Sequence, residues 1–161
     1  MIVVVMGVTG AGKTTIGRLL AAQLGWEFAD ADQFHPKTNV EKMSRGVALT
    51  DGDREPWLAA MRSTILAWIS QNRNAVLACS ALKRAYRNEL MVGPEVRFVY
   101  LRGNYEAVAR QLRVRHGHFA TESILADQFA TLEEPDNAVV VDVGDDPAQM
   151  VAEIRHHLGL T

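Results

Sequence analysis

Eight residues, Gly7-Val8-Thr9-Gly10-Ala11-Gly12-Lys13-Thr14, constrain this chain more than any others. They match G-x-x-x-x-G-K-[ST], a phosphate-binding loop, and they lie in the setting that motif requires. Before them, residues 2–6 (Ile-Val-Val-Val-Met) have the pattern of a strand buried on both faces. After them, Ile16, Leu19, Leu20 and Leu24 fall at helical spacing, and Gly25 stops the pattern. Glycines let backbone N–H groups turn toward an anion with no Cβ in the way, and the helix N-terminus adds partial positive charge. Gly7, Thr9, Gly10, Ala11, Gly12, Lys13, Thr14 and Thr15 are therefore expected to hold the phosphates of a nucleotide. Lys13 would reach the outer phosphates, and the Thr14 hydroxyl would face Mg²⁺.

The rest of the chain alternates in the same manner. Residues 26–29, 75–79, 96–101 and 139–143 read as further strands. Helical patterns cover 36–45, 105–114 and 147–158, and a helix bearing Lys83, Arg84 and Arg87 lies between the third and fourth strands. The strongest helix has Trp57, Leu58, Met61, Ile65, Trp68 and Ile69 on one face; Asp53 is its expected cap, and Pro56 fits an early helical position. Residues 49–55 before it read as a polar turn. Five strands alternating with helices predict an α/β fold: a five-stranded parallel sheet in three layers, helices on both faces, as a single domain over 1–161.

Composition narrows the partners. Seventeen basic and nineteen acidic side chains give a formal charge of −2, which excludes a broad electrostatic footprint for nucleic acid or anionic lipid. A single cysteine, Cys79, excludes a disulfide framework and a cysteine-rich zinc site, and it reads as a buried small hydrophobe. No apolar run is long enough to span a membrane, and the short apolar start lacks the basic flank of a signal peptide. The expected location is the cytoplasm.

Ligands of parallel sheets sit beyond the carboxyl ends of the strands. Just after the second strand come Asp30 and Asp32. One carboxylate can accept the proton of an attacking hydroxyl and the other can hold a water on Mg²⁺; Asp32 is assigned to the hydroxyl and Asp30 to the metal side. Solvated turn residues are the plainer alternative. No N-K-x-D string, the usual guanine reader, occurs, so ATP is the expected nucleotide. Arg102, Arg110, Arg113 and Arg115 cluster around the helix after strand four, and a lid over 115–123 follows it. Arg115 is the best placed of them to bring positive charge to the phosphates.

Longer strings resemble a known family. They are Asp32-x-x-His35-Pro36 with Asn39-x-Glu41-Lys42-Met43, and Leu49-Thr50-Asp51-x-Asp53-Arg54-x-Pro56-Trp57-Leu58. Further on come Cys79-Ser80-Ala81-Leu82-Lys83-x-x-Tyr86-Arg87, Gly117-His118-Phe119 and Gln128-Phe129-x-Thr131-Leu132-Glu133-x-Pro135. With the phosphate loop they run in order through nearly the whole chain. They resemble the small P-loop gluconokinases, more distantly related to shikimate kinase. The resemblance implies a fold like that of nucleoside monophosphate kinases, a homodimer, and ATP-dependent phosphorylation of D-gluconate at its 6-hydroxyl. One departure is visible: a position where such kinases often place an adenine-side arginine is Gln111, for which Arg110 or Arg113 would substitute.

A polyol carboxylate needs a cation and several hydrogen-bond partners. Arg54, Lys83 and Arg87 are candidates for the carboxylate; His35, Ser80 and His118 are candidates for hydroxyls. Lys83 and Arg87, four apart, equally suit a solvated helix face, and His35 beside Pro36 equally suits a stiffened turn. Two other readings compete: a related kinase acting on shikimate or another sugar acid, and a nucleotide-binding regulatory module without an acceptor.

Overall fold

A strand with no polar residue needs cover on both sides, and β1 (Ile2–Met6) has it. It lies in the middle of a five-stranded sheet with β2 (Glu27–Asp30), β3 (Ala75–Ala78), β4 (Val96–Arg102) and β5 (Val139–Asp142), in the order β2-β3-β1-β4-β5. Every neighbouring pair is parallel; Val4, for example, stands opposite Leu77 on one side and Phe98 on the other. The computed structural model describes residues 1–116 and 119–160, and all side chains there except those of 114–123.

Alternation along β1 divides the core into two. Val3 and Val5 pack with Ile16, Leu20, Val108, Leu112, Leu125, Val151 and Ile154. These come from α1 (Lys13–Leu24), α5 (Tyr105–His116), α6 (Phe119–Thr131) and α7 (Pro147–Leu158). Ile2, Val4 and Met6 pack on the other face with Trp57, Met61, Ile65, Tyr86 and Leu90. These belong to α3 (Asp51–Ser70) and α4 (Arg84–Leu90). All five β1 residues are fully buried, each worth about 1.5–3 kcal/mol by area, so the sheet centre has no use for a polar residue. The small helix α2 (Lys37–Ser44) contributes one buried residue, Asn39.

The three-layer parallel architecture expected from the sequence is the one observed. Several boundaries differ for local reasons. β2 runs one residue further, through Asp30, whose side chain then accepts from the Asp32 amide and starts a 3₁₀ turn over Ala31–Phe34. Residues 49–55 are not a loop: α3 begins at Asp51, capped by Thr50. The Thr50 hydroxyl accepts from the Asp53 amide and the Asp53 carboxylate accepts from the Thr50 amide, a reciprocal capping box. Asp53 is thus the third helical residue and not the cap. Pro56 sits inside the helix. Helix α6 has no counterpart among the helices expected from the sequence.

Candidate active site

The phosphate loop joins β1 to α1 at the carboxyl edge of the sheet. Its shape depends on left-handed glycines. Gly10 has φ +78°, and a Cβ there would lie 2.6 Å from the Leu112 side chain of α5. Gly12, at φ 98°, is the N-cap of α1. The loop thus bends tightly against α5 and turns into the helix, which leaves the first amides of α1 aimed outward.

The charged groups around it are held in place. Lys13 Nζ donates to the Val8 carbonyl at 3.0 Å, so the ammonium bends back over the loop. Burial pulls its pKa down, opposed by Cys79, Asp32 and Asp30. The Thr14 hydroxyl donates to Asp30 Oδ2 at 2.8 Å, and Asp30 Oδ1 accepts from the Asp32 amide at 3.0 Å. Asp30 is therefore anchored through both oxygens. Asp32 reaches solvent, yet the cleft walls remove enough water to push its pKa up, and the neighbouring Asp30 charge pushes the same way.

Lys13, Thr14, Asp30 and Asp32 line one cleft of about 430 Å³ together with Thr9, Gly10, Trp57, Ser80 and Gln128. A cavity of about 500 Å³ at the ends of β4 and β5 is larger, but it contains no part of the phosphate loop, and its Arg102 is paired with Asp142 at 2.7 Å. Among the described residues, no cluster of three or more His, Cys, Asp or Glu is placed to hold a metal by itself. The Thr14 hydroxyl beside the Asp30 carboxylate is instead a pair of hard oxygens at a helix N-terminus. That suits a magnesium ion that keeps waters and shares phosphate oxygens.

From Asp32 the cleft continues toward α3. Trp57 Nε1 donates to the Ala31 carbonyl at 2.7 Å, tying α3 to the 3₁₀ turn. His35 lies over Trp57, and burial lowers its pKa, with the Arg54 charge adding to the effect against Asp32. Asn39 Nδ2 donates both to the Asp53 carbonyl at 2.7 Å and to His35 Nδ1 at 3.2 Å. The carbonyl can only accept, so the amide orientation is fixed, and His35 Nδ1 must be the acceptor. The neutral ring then carries its proton on Nε2.

Arg54 and Lys83 meet around Tyr86. Each cation lies over the Tyr86 ring, at 5.7 and 5.5 Å from its centre. Arg54 Nη1 also donates to the Leu49 carbonyl at 3.0 Å. Asp51 Oδ1 accepts from Tyr86 Oη at 2.5 Å and from Lys83 Nζ at 3.1 Å. Those bonds hold the Asp51 carboxyl below its usual range. Two cations against one carboxylate leave this corner with surplus positive charge.

Arg87 stands apart from the cleft. It is 7% exposed, and its guanidinium donates to the carbonyls of Ala81, Leu82 and Glu133 at 2.7, 3.1 and 2.7 Å. The carboxylate role considered from the sequence is corrected: Arg87 is a clamp on the loop after β3. That loop needs one, since Ala81 has φ +44°. By holding it, Arg87 positions Ser80, whose carbonyl accepts from the Gly7 amide.

Other candidates fall at the opposite end of the loop. Thr15 and Gln111 line a cavity of about 350 Å³ with Gly12, Gly144, Asp145 and Met150. Arg110 lines a smaller one beside it, of about 170 Å³, with Gln111 and Asp145. The Arg115 side chain and His118 lie outside the described residues, as do the side chains of the lid expected over 115–123. Cys79 is 1% exposed with its thiol pushed up to about 12 by burial, so it is no nucleophile. Three features of the site carry no assignment from the sequence: Trp57, read there as core; Gln128, present only within a family string; and the Asp51–Tyr86 pair.

A family model described as Shikimate kinase matches residues 9–157. The chain is 45% identical over 159 residues to a Gluconokinase of Gluconobacter oxydans, covering 95% of this chain and 89% of that one. It is 41% identical over 155 residues to the Thermoresistant gluconokinase of Escherichia coli, covering 93% and 88%. Among solved structures, a gluconokinase from Sinorhizobium meliloti superposes with TM-score 0.88 at 40% identity, over 98% of this chain and 90% of that one. A shikimate kinase from Aquifex aeolicus shares the fold, with TM-score 0.65 at 15% identity over 99% and 96%.

Proposed function

The chain belongs to the shikimate kinase family and, within it, to the gluconokinases; from that membership we propose that it moves the γ-phosphoryl group of ATP to the 6-hydroxyl of D-gluconate, giving 6-phospho-D-gluconate and ADP. One observation carries the reading beyond homology. A single cleft brings the phosphate loop, Asp32, Trp57 and Ser80 together, and His35, stacked on that Trp57, feels the charges of both Asp32 and Arg54.

The division of labour follows from the groups. Loop amides and Lys13 hold the β- and γ-phosphates, and Lys13 offsets the charge that spreads over the transferring oxygens. The adenine fits the cavity lined by Thr15 and Gln111, with Arg110 at its rim. The Thr14 hydroxyl and the Asp30 carboxylate it bonds would hold Mg²⁺, which would supply further positive charge against the phosphates. Asp32 accepts the proton of the 6-hydroxyl; its raised pKa makes it a better base than an ordinary aspartate. Arg54 and Lys83 receive the gluconate carboxylate. His35 Nε2–H and the Ser80 hydroxyl supply hydrogen bonds to its other hydroxyls. Arg115 keeps the role of bringing charge to the phosphates, and His118 that of a hydrogen-bond partner for a substrate hydroxyl.

The homodimer implied by the resemblance and the cytoplasmic location expected from the composition are part of this proposal. Among the described residues no helix is long and apolar enough to cross a membrane. The deciding experiment is ADP release from MgATP with and without D-gluconate, with the product identified and shikimate and other sugar acids run alongside. Faster turnover with shikimate than with gluconate would overturn the substrate assignment, and acceptor-independent hydrolysis alone would overturn the kinase reading. Sedimentation tests the dimer.

A further inference from the structure

One peptide group of the phosphate loop, that joining Val8 to Thr9, orients a donor side chain at each of its two polar ends, from two different helices. The Val8 carbonyl accepts from Lys13 Nζ of α1. The N–H of that same peptide group, the Thr9 amide, donates to Gln128 Oε1 of α6 at 2.6 Å, across 119 residues of sequence. A backbone amide can only donate, so the carboxamide oxygen of Gln128 must face it. The NH₂ end then points the other way. Among the described residues Gln128 Nε2 takes no partner, and Gln128 lines the same cleft as Lys13, Asp32 and Ser80.

From this geometry we infer that Gln128 is a donor to the transferring phosphoryl group, locked into its orientation by the Thr9 amide. The inference rests on the phosphoryl-transfer reading above. A phosphoryl group in flight carries its charge on three outer oxygens and gains from fixed donors that need no reorientation. Lys13 covers one side of that group and the Gln128 N–H pair another. Both are set by the same stretch of loop, so placing the phosphates and placing the donors become one event. It also joins α6 directly to the phosphate loop.

Two variants separate donation from simple bracing. Gln128→Glu keeps an oxygen for the Thr9 amide but loses both N–H donors and adds a negative charge. Gln128→Met keeps the length and loses both functions. For Gln128→Glu we expect kcat with gluconate to fall about 10- to 100-fold, the loss of a charge-assisted hydrogen bond. ADP affinity should stay within about threefold, since ADP lacks the group being read. The ratio of variant to wild-type kcat should rise as pH falls, because the introduced carboxyl regains one donor once it is protonated. The charged groups facing that end of the cleft, Lys13, Asp30 and Asp32, are common to both proteins, so the ratio isolates position 128.

Affinity for ADP with beryllium fluoride, a γ-phosphoryl mimic, supplies a readout independent of gluconate. It should weaken in both variants relative to ADP alone. Two results would overturn the inference: kcat of Gln128→Glu within about threefold of wild type, or ADP and ADP–beryllium fluoride affinities falling equally in Gln128→Met. The second would make Gln128 a brace for the loop. Wild-type protein that binds the mimic but does not phosphorylate gluconate would count against the substrate assignment and leave position 128 to be decided by the mimic.

Discussion

The His35 imidazole lies flat on the Trp57 indole, with ring centres 4.7 Å apart and planes 7° from parallel. His35 ends the turn that carries Asp32, and Trp57 opens the buried face of α3. The same indole donates to the Ala31 carbonyl. Two contacts from one side chain thus fix the turn bearing the proposed base against the helix bearing Arg54. In the proposed site, the distance between the Asp32 end and the Arg54 end is set by packed rings.

Asp32→Asn should lower kcat by about 10²- to 10⁴-fold, the usual range for loss of a general base, with the KM for ATP nearly unchanged. The same group sets an acid limb in wild type. Only the ionised carboxylate accepts a proton, and its pKa is raised. kcat/KM for gluconate should therefore fall as pH drops through a value above the ordinary aspartate pKa of 3.8. Steady-state kinetics across pH measure both; near-wild-type turnover in Asp32→Asn would remove the assignment.

Arg54→Ala should raise the KM for gluconate about 10- to 100-fold through loss of charge-assisted bonds to the carboxylate, leaving the KM for ATP alone. Lys83→Ala should act the same way. An unchanged gluconate KM in both variants would put the carboxylate elsewhere.

Arg87→Met should behave quite differently. It strips three backbone carbonyls of their partner and frees the left-handed Ala81. We expect a loss of about 2–4 kcal/mol in urea unfolding, with gluconate KM changed less than in Arg54→Ala. A KM effect without loss of stability would restore Arg87 to the substrate site.

Acid should weaken the start of α3. Lys42 and Thr50 bond the Asp53 carboxylate and hold its pKa down at about 2. A depressed native pKa means the bonds contribute fully above the unfolded value, 3.8, and are lost as pH falls toward 2. The stability gap between wild type and Asp53→Asn should be constant above about pH 5 and close below about pH 4. A gap undiminished at about pH 2 would show that the carboxylate charge is not what the cap requires.

The strand–loop–helix start was legible because its signals are local: a run of β-branched residues, then glycines, then a helical period. The first turn of α3 was misread because Thr50-Asp51-Gly52-Asp53 has the composition of a turn, although Thr50 and Asp53 stand three apart as a capping box requires. Arg87 could not be separated from Lys83 by spacing. One of its partners, the Glu133 carbonyl, comes from 46 residues away, and only the fold brings it there. Gln128 was hidden for the same reason, its meaning lying in one amide at the far end of the chain. Asp30 and Asp32 were legible as a pair, since the end of a parallel strand beside a phosphate loop leaves polar groups few other tasks.

The sole sulfhydryl, at Cys79, lies against the central strands and below water's reach. Thiol-directed reagents will find nothing to attack while the molecule is intact, so the enzyme should work without added reductant. Its labelling rate with an aromatic disulfide will then clock how often the floor of the cleft beside β3 opens, a stopwatch supplied with the protein.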